Sequence, residues 1–540
     1  MIHPIHAVYS SSSLEADPAL ASNFDSQEIL PAESISRKER ATLLIAVLII
    51  AVCALTYELI VATLSSYLLG DSITQFSFTI GFFLFAMGIG SLLSRSIKRH
   101  TLRWFIIVEL SVAFFGGSSA VILYAVFSQA FIYYYAVMIA ISLAIGICVG
   151  LEIPLLTRIV ADRSELSDAL ADVLSIDYLG ALVGSIAFPV ILLPLLGVTQ
   201  TAFLMAIFNV VVGLMILRVF SYKLNPRWST RLWIMGASVT GMMILGAIFS
   251  TDITRVLEQQ LYSSNVVYTE QTPYQRIVIT TRGDDYRLFI NGNIQFSTLD
   301  EYRYHEMLVH PVMNASRSRE RVLILGGGDG FAVREILRYD DVAEIVVVDL
   351  DPAITELARD FPIMTRFNEN ALDDERVTIL NEDAFSYVQD GTDIFNVIIL
   401  DLPDPNNESL SKLYSDTFYR MLSNRLSPDG AFVTQSTSPY FARRSFWTID
   451  STIQAADFHT LPLHVNVPTF GEWGFIIGTP FATVDIAIPD FELRYLTQES
   501  FDNARYFDPD IADSEDYNGV NTLNNPILPR FYEQDWRRWN

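Results

Sequence analysis

The chain has 540 residues, of which 51% are hydrophobic, and a formal net charge of −25 at pH 7. This length allows two or three domains, and the mean hydropathy of +0.32 is high for a wholly soluble protein. Residues 251–540 hold 23 basic and 46 acidic residues, so this part is a poor partner for nucleic acid but suits small cations.

The N-terminal half has the composition of a membrane protein. Residues 1–40 are rich in Ser, Ala and acidic residues without a sustained apolar period, which predicts a disordered tail. Seven apolar segments follow, each about twenty residues long and so able to cross a bilayer. We therefore expect an α-helical multi-pass domain of about seven helices over residues 41–250, located in the cell (inner) membrane. The segments span roughly 41–66, 74–95, 103–127, 130–157, 173–196, 199–220 and 232–250.

Basic residues alternate between the loops of this region. They precede the first segment and follow the second, fourth and sixth, whereas the loops near 70, 128 and 197 hold none. The positive-inside rule then places the N-terminus in the cytoplasm, and seven crossings place residues 251–540 outside. Pro189 and Pro194 make the fifth segment the best candidate for an irregular helix.

The soluble part is predicted to begin with a small β domain over residues 262–318. Two strands, 277–281 and 286–290, flank an Arg-Gly-Asp-Asp turn, and Asn291-Gly292 is a strong type I′ turn signal.

Strands and helices alternate after residue 318. This order predicts a parallel, doubly wound sheet over residues 319–490, an α/β Rossmann-like domain of the class I methyltransferase-like kind. Residues 491–540 form an acidic and aromatic C-terminal extension without an interpretable motif. The predicted strands are 322–325, 344–349, 376–380, 395–400 and 430–435.

Acids follow the ends of successive predicted strands, where a doubly wound sheet binds its ligands. Asp329 lies in the loop Gly-Gly-Gly-Asp-Gly of residues 326–330. Such a loop lets the backbone approach a nucleotide closely, and an acid within it predicts a positively charged ligand. Asp349 has the spacing of a ribose-binding acid, and Asp383 is placed to accept a hydrogen bond from an adenine amino group. Tight turns and helix caps also use such residues, but their joint order favours a ligand site.

Asp401 and Asp404 lie three residues apart in Asp-Leu-Pro-Asp-Pro. One carboxylate can take a proton from a reacting amine while the other holds a distal ammonium. A pair of Asx-turns beside prolines would have the same spacing, so the motif alone leaves both interpretations open.

Taken in order, the motifs resemble those of a spermidine synthase, a polyamine aminopropyltransferase, over roughly residues 265–485. With its apolar N-terminal half, the chain is similar to the membrane-bound bacterial branch of that family. The matching stretches are 274–275, 291–295, 300–301, 304–306, 326–330, 349–351, Asp383, 401–405, 413–415 and 468–475.

The resemblance implies an activity and a set of site residues. Decarboxylated S-adenosylmethionine would be the co-substrate that donates an aminopropyl group to putrescine, giving spermidine and methylthioadenosine. Positioning and charge complementarity suffice for this reaction, so we expect neither metal nor cofactor. Other expected partners are the lipid bilayer and further copies of the chain. The implied residues are Gln275, Gln295, Asp329, Asp349 and Asp383 for the donor, Asp401 as general base with Tyr304, and His305, Glu306, Asp329, Asp404 and Phe470 for the acceptor.

Three positions depart from the usual family pattern. Asp349 replaces the common Glu, Leu402-Pro403 replaces Ser-Ser or Ser-Thr, and Phe470 replaces Tyr. The donor site is therefore predicted to be retained, and the surroundings of the acceptor to differ.

Two other classes of function are compatible with the sequence. An ordinary methyltransferase would have to place a methionine carboxylate beside Asp329. A polyamine transporter or sensor would use intramembrane carboxylates such as Glu109, Glu152 and Asp177, which otherwise serve as hydrogen-bonded or water-exposed groups between helices. Glycines are predicted to allow close helix packing; they are Gly88, Gly90, Gly146 and Gly150.

The predicted topology conflicts with the implied donor, which is made in the cytoplasm. Either one segment does not span, or the enzyme uses exported substrates, or the charge of the loops misleads.

Overall fold

The structure is a computed structural model that describes residues 36–69, 72–160, 166–262, 264–482, 486–513 and 519–539. Most of the predicted tail, residues 1–40, lies outside the described residues. Its last four residues are helical, contrary to prediction, because the first helix begins at Arg37. Ser36 Oγ accepts a hydrogen bond from Glu39 N, and Ser36 N donates one to the Glu39 carboxylate. This reciprocal pair is a capping box, which fixes a helix start.

Long helices make up the described N-terminal half. Helical structure is continuous over Thr101–Val160 and over Asp168–Val219. With these two, five continuous stretches are long and apolar enough to cross a membrane. The number of seven crossings stays a prediction. The helices are α1 (Arg37–Leu69), α2 (Ser72–Leu93), α3 (Thr101–Ala130), α4 (Tyr134–Val160), α5 (Leu166–Ala187), α6 (Leu193–Val219) and α7 (Pro226–Leu261).

Two of these stretches contain breaks. A 3-10 turn, Phe131–Tyr133, separates α3 from α4, and the two helices pack against each other. A π-helix, Phe188–Leu192, follows α5, and Gly197, with a φ of 68°, forms a kink within α6. The predicted irregularity of the fifth segment is confirmed.

The basic ends of the helices gather at one end of the bundle. The start of α7 meets the start of α3, since the Arg103 guanidinium lies 4.4 Å from the Trp228 ring centroid. At the other end Gln200 Nε2 donates to Thr251 Oγ1 over 3.2 Å. The soluble part therefore leaves the bundle at the end opposite the basic residues. Further contacts at the basic end are Arg40–Asp172, Tyr222–Glu39 and Arg158 with the carbonyls of Ser94 and Ile97.

The small β domain is a four-stranded antiparallel sheet in the order β1-β2-β3-β4. The predicted type I′ turn is confirmed, since Asn291 and Gly292 have φ values of 50° and 80°. A long helix, α8, then leads into the second domain. These elements are β1 (Asn265–Gln271), β2 (Arg276–Arg282), β3 (Asp285–Ile290), β4 (Asn293–Ser297) and α8 (Glu301–Ala315).

A seven-stranded sheet in the order β10-β11-β9-β8-β5-β6-β7 forms the second domain. The five predicted strands are present, and each pairs in parallel with its neighbours among the five. Sequence reasoning missed β10 and β11, which add an antiparallel edge. The strands are β5 (Arg321–Gly326), β6 (Glu344–Val348), β7 (Val377–Leu380), β8 (Phe395–Asp401), β9 (Leu426–Gln435), β10 (His459–Val467) and β11 (Gly471–Thr479).

Helices cover both faces of this sheet. The parallel strands β5, β6 and β8 are mostly buried, as expected for central parallel strands. The C-terminal extension contributes α16 and α17. The helices are α9 (Phe331–Ile336), α10 (Pro352–Asp360), α11 (Pro362–Phe367), α12 (Ala384–Asp390), α13 (Glu408–Ser411), α14 (Asp416–Ser423), α15 (Arg443–Gln454), α16 (Gln498–Asn503) and α17 (Leu528–Trp536).

Glycines set the spacing of α2 and α4. A Cβ added to Gly150 would lie 2.1 Å from Met87 O, and one added to Gly90 would lie 2.1 Å from Ile147 O. Gly146 is similarly enclosed, whereas a Cβ at Gly88 would meet nothing within 4 Å. The predicted close packing is thus present at three of the four glycines.

We expect Gly150→Ala to destabilise the bundle by about 1–3 kcal/mol, the usual cost of overpacking. Thermal unfolding of the detergent-solubilised protein measures the change. Gly88→Ala is the matched control and should unfold at or slightly above the wild-type temperature. Equal unfolding temperatures for both variants would contradict the helix contact.

Candidate active site

The glycine loop packs directly against the end of the neighbouring strand. Gly326 pairs with Asp401 across β5 and β8, and its φ is 82°. A Cβ at Gly326 would lie 2.1 Å from Asp401 O. Only glycine combines this positive φ with so close an approach, so the loop and Asp401 meet at the carboxyl edge of the sheet.

Asp329 is held within the loop by its neighbours. Its Oδ1 accepts a hydrogen bond from Phe331 N at 3.1 Å, and Asn368 Nδ2 donates to its carbonyl oxygen. Burial raises the pKa of the Asp329 carboxyl, His305 opposes this, and the charge of Asp401 raises it further. A cation beside Asp329 would relieve this accumulation of negative charge.

Asp349, at the end of β6, is bound by two backbone amides. Oδ2 accepts from Gly328 N at 3.1 Å and Oδ1 from Asp351 N at 3.0 Å. Burial raises the pKa of Asp349 to about 6, although these amides lower it. A Cβ at Gly328 would lie 2.6 Å from Asp349 Oδ2, so the glycine is required for the carboxylate to lie against the loop.

Asp401, at the end of β8, accepts a hydrogen bond from the Tyr304 hydroxyl at 2.7 Å. Burial raises the pKa of Asp401, and the partners that lower it are His305 and Tyr304. His305 Nδ1 lies 2.9 Å from Glu301 Oε2. Burial lowers the pKa of His305, but the hydrogen bond and the charge of Glu301 raise it, so that the pKa lies above its usual value. Asp401 is therefore a more basic carboxylate than an exposed one, next to a ring that favours the cationic form.

Asp404 follows on the same loop and has neutral hydrogen-bond donors. Gln435 Nε2 lies 3.3 Å from Oδ1, and Thr437 Oγ1 and the Tyr532 hydroxyl lie 3.5 and 2.8 Å from Oδ2. Burial raises the pKa of Asp404 to about 6, while these donors lower it. The residue as a whole is half-buried.

Asp383 differs from the other acids because it has a basic partner. Lys412 Nζ lies 3.2 Å from both carboxylate oxygens, and Ser386 N and Oγ donate to Oδ2. Although burial raises the pKa of Asp383, the hydrogen bond from Lys412 brings it below the usual value. Asp383 is thus an ionised N-cap of α12, and its remaining exposed edge is what a nucleoside could contact.

Only one of the two predicted glutamines is connected to the loop that carries Asp349 among the described contacts. The backbone carbonyl of Gln275 accepts from Thr272, whose hydroxyl also contacts Asp351 Oδ2 at 2.7 Å. Gln295, on β4, is partly exposed and donates to Asn293 O. The Gln275 turn thus lies at the Asp349 loop, whereas the hydrogen bonds of the described residues do not join Gln295 to the acids.

Glu306 does not reach the acceptor region as predicted. Its two oxygens accept hydrogen bonds from the backbone amides of residues 494–496 at 2.8 to 2.9 Å. The side chain is almost fully buried. Its hydrogen bonds with these three amides hold the C-terminal extension in place. Phe470, by contrast, lies beside Tyr304, the hydrogen-bond partner of Asp401, with the two ring centroids 6.0 Å apart.

A separate cavity of about 660 Å³ lies beside the start of α8, lined by Arg287, Leu299, Asp300, Tyr302, Arg303, Pro468 and Thr469. None of the predicted donor acids lines it, and we assign it no role in the reaction. Among the described residues no group of three or more His, Cys, Asp or Glu side chains is arranged to hold a metal ion.

Sequence reasoning missed Lys412, Gln435, Thr437 and Tyr532. Leu413-Tyr-Ser415 was noted as a motif, but the lysine before it was not. Tyr532 gave no signal, because it lies 128 residues from its partner Asp404.

The parallel sheet with helices on both faces, and acids at its strand ends, defines a protein of the Rossmann-like class. A model of the spermine/spermidine synthase domain matches residues 301–485. Polyamine aminopropyltransferase of Leptospira interrogans is 42% identical over 503 residues, 92% of this chain and 99% of that protein. Polyamine aminopropyltransferase 2 of Ralstonia nicotianae is 42% identical over 507 residues, 92% of this chain and 98% of its own length.

The chain therefore belongs to the polyamine aminopropyltransferase family and is a transferase. Alignments of this extent include the helical bundle as well as the soluble part. A solved spermidine synthase in complex with the transition state analogue AdoDATO is 26% identical, with a TM-score of 0.42 over 45% of this chain and 85% of its own.

The pKa of Asp404 predicts a pH-dependent stability. An ordinary aspartate titrates near 3.9, so a folded-state pKa of about 6 means that ionisation destabilises the folded protein as the pH rises from about 4 through 6. Asp404→Asn removes this titration. As the pH rises over this range, wild type should lose stability and the variant should not. The unfolding temperature of the variant should therefore gain a few °C relative to that of the wild type.

Asp360→Asn, at the exposed end of α10, is the matched control in these unfolding scans. A difference between Asp404→Asn and wild type that stays constant from pH 4 to 7 would contradict the raised pKa of Asp404.

Proposed function

We propose that this protein transfers the aminopropyl group of decarboxylated S-adenosylmethionine to putrescine, giving spermidine and methylthioadenosine, while its N-terminal helices lie in a membrane. The observation that carries the proposal is the arrangement of Asp329, Asp401 and Asp404 around one edge of the sheet. Each has a raised pKa and no basic side chain bound to it among the described residues, so the site favours cationic ligands.

The donor fits the acids on the β5 and β6 side. Asp349 accepts from two backbone amides and presents its remaining lone pairs to a ribose. Asp329 would meet the ammonium of the aminopropyl group, where a methionine carboxylate would be repelled. This sign of charge favours a decarboxylated donor over S-adenosylmethionine itself, and therefore aminopropyl transfer over methyl transfer.

Asp401 is the proposed general base. A free alkylamine is protonated at neutral pH, with a pKa near 10, and attacks only after it loses a proton. Asp401 takes that proton while the Tyr304 hydroxyl fixes its carboxylate. The amine nitrogen then forms a bond to the methylene carbon beside sulfur, and the carbon–sulfur bond breaks with its electron pair leaving on methylthioadenosine. Asp404 would hold the distal ammonium of the acceptor.

We expect Asp401→Asn to lower the rate of methylthioadenosine release by at least about a hundredfold, the usual contribution of a general base. Affinity for decarboxylated S-adenosylmethionine should change little, because the donor acids are intact. Single-turnover assays and calorimetry measure the two quantities. Asp360→Asn is the control.

The same assay distinguishes the classes of function. Wild-type protein that releases no methylthioadenosine with any of a panel of amines would contradict aminopropyl transfer. Methylation of an amine with S-adenosylmethionine would instead support a methyltransferase. An unchanged turnover of Asp401→Asn would contradict the role of Asp401 alone.

A membrane location is supported by the outer surface of the bundle. Large apolar side chains point away from the core, among them Phe85, Leu195 and Ile234, which are 64%, 76% and 61% exposed. Such an extensive apolar surface on long helices is suited to lipid.

We propose a second function for the bundle, the binding of polyamine cations. Glu109 on α3 and Glu152 on α4 are fully buried neighbours. Apart from each other's carboxyl group, these two side chains have no hydrogen-bond donor among the described residues, and neither the Tyr57 hydroxyl nor the Asn209 amide has a partner there. Buried carboxylates of this kind are costly in a membrane unless a cation or proton balances them.

We expect the full chain to be recovered in the membrane fraction and, once reconstituted in vesicles, to bind labelled putrescine at a second site. Asp404→Asn serves as the background, since it removes binding at the synthase site. In that background Glu152→Gln should abolish the remaining binding, whereas Glu58→Gln, a partly exposed carboxyl of α1, should retain it. Recovery in the soluble fraction, or equal binding by both variants, would contradict the respective proposal.

A further inference from the structure

A residue of the C-terminal extension contacts the acid proposed to bind the acceptor. Tyr532 on α17 donates a hydrogen bond to Asp404 Oδ2 over 2.8 Å, although it lies beyond the matched domain of residues 301–485. We infer that Tyr532 is a positioning residue for the acceptor, and that α17 forms a wall of the acceptor site which selects diamines. The inference rests on the proposed aminopropyl transfer.

Tyr532 is the closest of the three side chains that donate to Asp404. Gln435 Nε2 and Thr437 Oγ1 lie at 3.3 and 3.5 Å, distances typical of weak hydrogen bonds. A hydroxyl bound to an ionised carboxylate forms a charge-assisted bond, which is stronger than a neutral one. Tyr532 therefore contributes most to the orientation of this carboxylate.

All three donors are neutral, so they orient the carboxylate without cancelling its charge. No Lys, Arg or His side chain donates to Asp404 in the part of the chain that the structure describes. Asp383, by comparison, is paired with Lys412. The charge of Asp404 is thus left for a cationic ligand, and the distal ammonium of a diamine has the required sign.

The helix that carries Tyr532 is fixed in place. Arg444 Nε donates to Asp535 Oδ1 at 2.8 Å, and Asp535 is only 4% exposed. The rings of Phe441 and Trp536 are stacked, with centroids 5.2 Å apart and planes 19° apart. A hydroxyl held by such a helix has a defined position, which is what pre-organised binding requires.

The segment before α17 is connected by hydrogen bonds to residues that also contact Asp404. The buried Asn521 side chain accepts from Ile527 N and donates to the carbonyl of Tyr414. The Tyr414 hydroxyl in turn lies 2.7 Å from Gln435 Nε2, which contacts Asp404. The C-terminal extension and the loop of Asp404 are therefore joined through the same two residues, Tyr414 and Gln435.

The test compares Tyr532→Phe with wild type in the full-length protein, using putrescine and butylamine as acceptors. We expect the KM for putrescine to rise roughly tenfold, as for the loss of a hydrogen bond to a charged group. The KM for the donor and kcat should stay within about twofold. Butylamine lacks the distal ammonium, so its kcat/KM should not change.

The pH profile gives a second readout. Since the Tyr532 hydrogen bond lowers the pKa of Asp404, its loss should move the acidic limit of putrescine binding to higher pH. Tyr506→Phe, whose side chain is 68% exposed in the same extension, is the control and should behave as wild type.

A double-mutant cycle keeps the inference falsifiable if Tyr532→Phe also loosens the fold. In an Asp404→Asn background, Tyr532→Phe should have no further effect on the KM for putrescine. An unchanged KM in the single variant, an equal loss with butylamine, or additive effects in the cycle would overturn the role of Tyr532. Wild-type protein that forms no methylthioadenosine would overturn the proposed function as well.

Discussion

The burial of carboxyl groups at one edge of a parallel sheet is the constraint that organises this structure. Asp329, Asp349, Asp401 and Asp404 follow three strand ends, and burial raises the pKa of every one of them. The fold tolerates them by surrounding them with neutral donors, namely backbone amides of the glycine loop, tyrosine hydroxyls and a glutamine amide, and by placing His305 near Asp329 and Asp401. Folding thus leaves a deficit of positive charge, which the substrates of an aminopropyltransferase can supply.

Close backbone approaches make this arrangement possible. The glycines of the loop allow β5 to lie against the end of β8 and the loop to lie against Asp349. Glycines have the same function in the bundle, where α2 and α4 approach through Gly90 and Gly150. In both halves of the protein, therefore, a close backbone approach depends on a residue without a side chain.

The sequence predicted what depends on local pattern. The strands β5 to β9, the Asn291-Gly292 turn and the glycine loop follow from apolar runs and turn residues that are contiguous in the chain. The predicted disorder of residues 37–40 was wrong, because the capping pair Ser36 and Glu39 was overlooked. Lys412 and Tyr532 could not be predicted, because their partners Asp383 and Asp404 are brought to them only by tertiary packing. Glu306 belonged to a matching motif, yet its carboxylate binds backbone amides of a segment whose course no motif indicates.

The contact between Tyr532 and Asp404 also has a consequence for biosynthesis. The strands, the glycine loop and the candidate base are all translated before α17, so a nascent chain can form the sheet and its donor acids early. Asp404 gains its closest hydrogen-bond donor only after residue 532 has left the ribosome. Under the proposed function the acceptor site is therefore completed last, and frameshifts or proteolysis that remove α17 would deprive Asp404 of its closest hydrogen-bond donor.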